Sequence, residues 1–335
     1  MKPGPKFALL AVAVVSLLIS LGSNGINSYL LGILISIGIN IILASSLNLV
    51  NGYTGQFSLG HAGFMAVGAY TAASVSVFLG PRVLPQLGGA DSLFATSIIF
   101  IMALIAGGLL AGIAGLVVGV PSLRLKGDYL AIVTLGFGEI IRVVLQNTNA
   151  VGGARGFTGI PSYTNFFWTF ALAGLTVYVV TSMVHSTAGR AFLAVHDDEI
   201  AAEAIGINTT KYKVIAFVFG AFFAGIAGGL YGHFIQYLNP DGFGFVKSIE
   251  IVVMVILGGM GNAVGVIIAA VLLSILPAIL REIPPLPFDF SVGGFHIKSV
   301  VVLSDYIMIL YSLVIIVLML ARPQGLFTLR RPAKA

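Results

Sequence analysis

Long, nearly uninterrupted runs of apolar residues follow one another along this chain, separated by short polar stretches. Because the runs are continuous and do not alternate with polar positions, they predict membrane-spanning helices and exclude the lipid-facing strands of a barrel. At about 20 residues per crossing, the chain accommodates about 8–10 transmembrane helices in an all-α polytopic membrane protein. The runs lie at about 7–22, 30–50, 61–79, 93–120, 129–147, 165–184, 213–233, 249–281 and 306–321.

Two glycine-rich breaks interrupt this pattern, at 51–60 and at 258–265. Irregular backbone at membrane depth is tolerated only where it is buried in protein or lines a cavity. The first break is therefore either a tight surface turn or a discontinuity within a helix. The two halves of 249–281 are too short for two full crossings of a ~30 Å core, so we expect two short spans or a re-entrant pair. The fold should thus contain broken or re-entrant segments.

Polar side chains beside these breaks could line a substrate path, or they could only cap the interrupted helices. An amino acid zwitterion would be held by helix ends and amide groups more readily than by fixed charges. The candidate path residues are Asn48, Gln56, Ser58, His61 and Asn262.

Residues spaced four apart mark the helix faces that we expect inside the bundle. Small residues recur at this spacing in the runs 93–120 and 213–233 and predict close helix contacts. A polar stripe at the same spacing marks the run 30–50. Glu139 and Arg142, three apart, can pair on one face, either as a structural pair or as functional groups. The three series are Gly107, Ala111, Gly115 and Gly119; Gly220, Ala224, Gly228 and Gly232; and Ser36, Asn40, Ala44 and Asn48.

The stretch 189–212 differs from everything around it, since it holds four of the twelve acidic residues. Each charge at bilayer depth costs about 2.5–3.5 kcal/mol, so this amphipathic segment cannot lie in hydrocarbon. We expect a surface helix on one face of the membrane. There it can meet a soluble partner, or it can rest on the lipid headgroups.

Composition excludes a soluble protein, because only 9% of the 335 residues are charged and the mean hydropathy is +1.05. Soluble domains carry about 25% charged residues. No large soluble domain remains, so residues 1–335 form a single transmembrane domain in this reading. The net charge of +5 comes from basic residues in short loops and at the termini, which is typical of topology signals and not of a nucleic-acid-binding face. The absence of cysteine excludes disulfides and thiolate metal sites.

The basic residues predict an orientation. With Lys2 and Lys6 inside, strict alternation places the loop of Arg124 and Lys126, the segment 189–212 and the basic tail in the cytoplasm. This works only if 249–281 crosses an even number of times. We therefore predict that both termini are cytoplasmic.

Motifs for independent chemistry are missing from the sequence. It contains no G-x-x-x-x-G-K-[ST] loop and no H-E-x-x-H motif, and its five histidines are scattered. We therefore predict a transporter that is not an enzyme and uses no cofactor. A path without its own energy source, next to a charged surface helix, indicates an external motor. A self-sufficient secondary carrier or channel is the alternative.

Several motifs resemble a known family. E-I-A-A-E-A-I-G-I-N at 199–208 resembles the EAA-type loop of bacterial ABC importer permeases. The stretches 48–70 and 121–142 are similar to those of branched-chain amino acid permeases. So are G-G-x-x-G-F-T-G-I-P at 152–161, I-L-G-G-M-G-N at 256–262 and R-P-Q-G-L at 322–326. In this order they are typical of the LivM-type subunit.

The resemblance implies a multi-pass permease subunit in the bacterial inner membrane. Its partners would be a homologous LivH-type permease, two ATP-binding subunits and a periplasmic binding protein that delivers a branched-chain amino acid. Another small solute, such as a sugar, urea or an amide, is the alternative substrate. The loop 282–305 is longer than the family pattern leads us to expect. ATPase coupling would fall on Glu199, Ala202, Glu203, Ala204 and Gly206, with the two acids on one helix face and the glycine ending the helix.

Overall fold

The computed structural model describes residues 5–21, 27–87, 92–122, 127–282, 286–292 and 295–301, and the single positions 309, 312, 313, 316, 317, 320 and 325; over 286–301 it describes the backbone. The helices are α1 Pro5–Leu21, α2 Ser28–Asn51, α3 His61–Ser74, α4 Gly80–Val83, α5 Leu93–Ser122, α6 Asp128–Gln146, α7 Phe166–Val184, α8 Thr187–Asp197, α9 Glu199–Ala204, α10 Thr209–Ile235, α11 Phe245–Gly258 and α12 Ala263–Glu282. A π-helical turn, Val75–Leu79, joins α3 to α4.

Within the described ranges, six helical segments are long and apolar enough to cross a membrane. This confirms the prediction of a helical polytopic membrane protein. The predicted spans at 7–22 and 129–147 correspond to α1 and α6, of 17 and 19 residues, which are not among the six; nor is the 14-residue α11. The span predicted at 306–321 lies mostly outside the described residues. The six are Ser28–Asn51, His61–Val83, Leu93–Ser122, Phe166–Val184, Thr209–Ile235 and Ala263–Glu282.

The centre of the bundle is α10, which packs against α2, α3 and α5. Small residues allow the backbones to touch. Gly107 belongs to a series predicted from fourfold spacing, whereas Gly68 and Gly225 were not predicted. A methyl group built on Gly68 would lie 2.2 Å from Gly225 Cα, and one on Gly107 would lie 2.7 Å from the Gly68 carbonyl oxygen. The helices α3, α5 and α10 therefore meet at one glycine-lined point.

The polar stripe of α2 faces the interior, as predicted. Asn40, Ala44 and Asn48 are buried, and the Asn40 amide donates to Ser274 Oγ of α12 at 2.8 Å. Ser36 is half-buried and donates to the Gly32 carbonyl of its own helix. The stripe thus connects α2 to α12.

Both predicted breaks are present. Residues 52–60, the broken segment, separate α2 from α3 and are largely buried, so this break is a discontinuity within the bundle. At the second break, the expectation of two short halves is wrong for α12. Its 20 residues extend about 30 Å, a full crossing. The helix is longer than expected because the Asn262 side chain accepts from Gly265 N, so that α12 begins inside the glycine-rich run.

Two further expectations are corrected. The segment 189–212 is not one helix, because Asp198 adopts an extended conformation between α8 and α9 and α10 begins already at Thr209. Within the predicted loop 282–305, two antiparallel strands pair. They are β1 Leu286–Val292 and β2 Phe295–Val301, with Leu286 opposite Val301 and Val292 opposite Phe295. Backbone pairing of residues close in sequence satisfies the peptide groups there.

Candidate functional site

Two of the candidate path residues are used to join helix ends. Asn48 Oδ1 accepts from Gly261 N at 2.9 Å and so fixes the end of α2 to the break between α11 and α12. Asn262 Oδ1 accepts from Gly265 N at 3.3 Å and caps α12. Both side chains are buried. The structure therefore brings Asn48 and Asn262 to the same junction, where each stabilises a helix terminus.

The backbone of the broken segment is held by side chains from two neighbouring helices. Asn51 accepts from Ser58 N at 3.2 Å and donates to the Ser58 carbonyl at 3.4 Å. Thr134 Oγ1 of α6 accepts from Leu59 N at 3.1 Å. Sequence reasoning missed Asn51 and Thr134; the only signal was a polar residue within or beside an apolar run. Irregular backbone is thus stabilised inside the bundle.

His61 lies buried at the start of α3. Its Nε2 forms a 2.8 Å hydrogen bond with Ser46 Oγ of α2. The next amide, Ala62 N, donates to Ser248 Oγ of α11 at 3.3 Å. The start of α3 is therefore fixed between α2 and α11, the two helices that end at the glycine-rich breaks.

Gln56 and Ser58 differ from the other candidates. Their exposed fractions are 3% and 1%, and their side chains have no hydrogen-bond partner among the described residues. A buried polar group without a partner costs about 1–3 kcal/mol. These two side chains of the broken segment therefore retain hydrogen-bonding capacity for a polar ligand or water.

The two acids of α9 lie on one face, and that face is turned towards the start of α10. Glu199 Oε1 is 2.6 Å from Lys213 Nζ, and Glu203 Oε1 accepts from Thr209 Oγ1 at 2.6 Å. Ala202 is buried beside them, while Glu203 remains exposed. Intrachain contacts thus orient α9 through Glu199 and Glu203, two of the residues predicted for ATPase coupling.

The outward side of α9 is mainly apolar. Ile200 and Ile205 are 74% and 76% exposed, and Ala201 and Ala204 are exposed with them. Gly206 ends this surface with a φ of +87°, and a Cβ placed on it would meet nothing within 4 Å. Two exposed isoleucines, one on a short helix and one directly after it, are suited to docking into a groove of a partner.

A salt-bridge network lies at the opposite end of the bundle. Arg142 Nε contacts Glu139 Oε2 at 2.7 Å, so the predicted pair is confirmed. Arg142 Nη1 also contacts Asp241 Oδ1 at 2.8 Å, and Gln146 Nε2 donates to the same oxygen. Asp241 was not predicted. The network ties α6 to the turn that precedes α11.

The sequence of this chain is similar to those of known permease proteins. The high-affinity branched-chain amino acid transport system permease protein LivM of Salmonella typhimurium is 34% identical over 361 residues, covering 97% of this chain and 75% of the relative. LivH of the same organism is 32% identical over 133 residues, 38% of this chain and 42% of its own length. A solved structure of PsaBC from Streptococcus pneumoniae in complex with Fab aligns with a TM-score of 0.43 at 14% identity, covering 89% of this chain and 93% of that one.

The family described as branched-chain amino acid transport system / permease component matches residues 29–321, from the start of α2 to beyond β2. This range includes the broken segment, α9 and both glycine-rich breaks. The chain belongs to the branched-chain amino acid transport system permease family.

Proposed function

We propose that this chain is the membrane-spanning permease subunit of an ATP-driven importer for branched-chain amino acids. It lies in the inner membrane of a bacterium and pairs with a LivH-type permease subunit. A periplasmic binding protein delivers its substrate. Two separate ATP-binding subunits supply the energy. Family membership, together with the buried broken segment, supports a transport path in this chain.

The observation that carries the coupling part of the proposal is the outward face of α9. Ile200 on the six-residue helix and Ile205 directly after it are exposed, while the acids of the helix contact Lys213 and Thr209. A helix held at one side presents its other side in a fixed orientation, which reduces the entropy cost of docking. We assign this surface to contact with an ATP-binding subunit, and we assign residues 189–212 to the cytoplasm.

The experiment compares co-purification of the ATP-binding subunits with three variants. Ile200→Asp places a charge at the centre of the apolar surface, and Glu203→Lys reverses a charge beside it. We expect both variants to insert in the membrane and to bind the ATP-binding subunit about 30-fold more weakly, a loss of about 2 kcal/mol that is typical of an interface hot spot. Uptake should fall accordingly.

The matched control is Ala150→Asp. Ala150 is exposed in the turn Asn149–Val151 at the other end of the bundle, so the same charge is introduced far from α9. We expect normal co-purification. Full binding of the ATP-binding subunits by Ile200→Asp would refute the assignment of α9. Uptake by the purified chain alone under an ion gradient would instead favour a secondary carrier.

A further inference from the structure

A small polar cavity of about 90 Å³ lies where three parts of the chain meet. One wall is formed by the broken segment at Thr54, Gly55 and Gln56, and another by the start of α6. The third wall is formed by His196 of α8 and Glu199 of α9. The walls are in contact, because a Cβ on Gly55 would lie 3.2 Å from His196 Cδ2. The cavity thus adjoins both the broken segment and α9.

Gln56 is the polar group of the broken segment that adjoins this cavity. Its side-chain Nε2 and Oε1 are closed off from water and have no partner among the described residues, while its backbone amide donates to the Val50 carbonyl at 3.1 Å. The backbone of the segment is therefore fixed, whereas the side-chain amide lies behind the cavity wall without a hydrogen bond to the described residues. A cavity of this volume has room for several water molecules, and polar walls retain water.

Lys213 faces the same cavity from α10. Its side chain is only 9% exposed, and its Nζ lies 2.6 Å from Glu199 Oε1. An ammonium group offers three donors, so the ion pair leaves donors for water in the cavity. Because α10 runs through the centre of the bundle, Lys213 connects the short α9 to the most extensively packed helix.

We infer that Lys213 and Gln56 are positioning residues that link α9 to the broken segment, through the Glu199 ion pair and water held in the cavity. The inference rests on the proposed function, in which α9 receives the motion of an ATP-binding subunit. A displacement of α9 moves Glu199 relative to Lys213, changes the shape and the water content of the cavity beside Gln56, and so reaches the broken segment. Neither residue contacts the ATP-binding subunit in this arrangement.

The test is a double-mutant cycle on the complete importer in liposomes, with the number of ATP molecules hydrolysed per amino acid imported as the readout. Lys213→Met and Gln56→Leu should each raise this ratio about fivefold or more, the lower end of allosteric coupling. Because both variants break the same link, the double variant should raise it no further than either single one. Lys213→Arg keeps the ion pair and should restore coupling. If Lys213→Met does not assemble, Glu199→Gln breaks the pair from the other side and completes the cycle with Gln56→Leu.

Ser58→Ala is the matched control. The Ser58 hydroxyl is buried, like the Gln56 amide, and has no partner among the described residues, but Ser58 does not line the cavity. Its effect on the ratio should multiply with that of Lys213→Met. Multiplicative effects of Lys213→Met and Gln56→Leu, with normal co-purification of the ATP-binding subunits, would overturn this inference alone. Failure of the unmodified chain to bind those subunits would overturn the proposed function and this inference with it.

Discussion

Glycine residues set how closely the central helices approach. A Cβ on Gly228 would lie 2.0 Å from the Met65 carbonyl oxygen, so α10 and α3 touch through their backbones. In a membrane, such contacts replace the hydrophobic driving force with van der Waals packing. The contact tolerates no side chain larger than hydrogen.

Gly228→Ala should therefore lower the free energy of unfolding in detergent by about 1–3 kcal/mol, the usual cost of overpacking. The control is Gly136→Ala in α6, where an added Cβ meets nothing within 4 Å. That change should be neutral or slightly stabilising, since alanine is favoured over glycine in a helix by about 1 kcal/mol. Equal melting temperatures for the two variants would show that the α3–α10 contact does not determine stability.

Arg142 has two carboxylate partners, and they differ in exposure. Asp241 is 62% exposed, so Asp241→Asn should cost no more than about 1 kcal/mol. Arg142→Met should lower the free energy of unfolding more, because it removes the cation that pairs with both Glu139 and Asp241. Chemical denaturation at low and high salt measures both, and salt should reduce the effect of Asp241→Asn. A larger cost for Asp241→Asn than for Arg142→Met would contradict the assignment of Arg142 as the centre of the network.

At the scale of single residues, spacing predicted the small-residue faces and the Glu139–Arg142 pair. It could not predict partners that are distant in the chain. Asn48 contacts Gly261, and Ser248 receives a hydrogen bond from Ala62; the members of each pair are far apart in sequence, and only the fold brings them together. Local spacing contains no information about such contacts.

The short helix α9 depends on its cap. Asp198 accepts hydrogen bonds from Ile200 N at 2.9 Å and from Ala201 N at 3.1 Å. A six-residue helix has too few internal hydrogen bonds to form alone, so its termini and tertiary contacts stabilise it. The carboxylate also interacts favourably with the helix dipole.

Asp198→Ala should destabilise α9 by about 0.5–2 kcal/mol, whereas Asp198→Asn should retain most of the cap. Hydrogen exchange of the amides of 199–204 measures this directly, with faster exchange expected in the alanine variant. Asp198→Asn provides the comparison, because its amide oxygen can still accept from Ile200 N and Ala201 N. Unchanged exchange in Asp198→Ala would mean that the contacts with α10 alone maintain the helix.

At the scale of elements, hydrophobic runs predicted the spans well because each crossing requires a long apolar stretch. Helix boundaries inside polar stretches were harder. The split of 189–212 at Asp198 follows from a cap, and the β1–β2 pair lies in a stretch that contains proline and glycine, which gave no clear strand pattern. Short elements depend on tertiary contacts, and hydropathy does not record those.

At the scale of the whole molecule, contacts show at which of the two ends of the bundle each connection between helices lies. The break between α11 and α12 lies at the end of α2, on the same end as α9, since Asn48 contacts Gly261 and Gly55 approaches His196. The other end of α12 lies beside the start of α2 and the end of α10, because Ser28, Phe234 and Arg281 line one cavity. The pair α11–α12 therefore returns to the end at which it began, as the basic residues required.

The absence of cysteine in the sequence makes this arrangement directly testable with single-cysteine variants. Ala201→Cys and Met260→Cys should react with a membrane-impermeant maleimide in inside-out vesicles. Ala150→Cys and Arg281→Cys should react in right-side-out vesicles, and all four positions are exposed. The cysteine-free chain provides the background, and Thr169→Cys, buried in α7, should remain unlabelled.

Arg281 is the decisive position among these four. Labelling of Arg281→Cys from the same side as Ala201→Cys would mean that α11 and α12 together cross an odd number of times. The basic C-terminal tail would then lie opposite α9, against the bias of Lys and Arg towards the cytoplasm. Labelling of Ala201→Cys from the periplasmic side would be more serious, because an ATP-binding subunit could not reach α9 there.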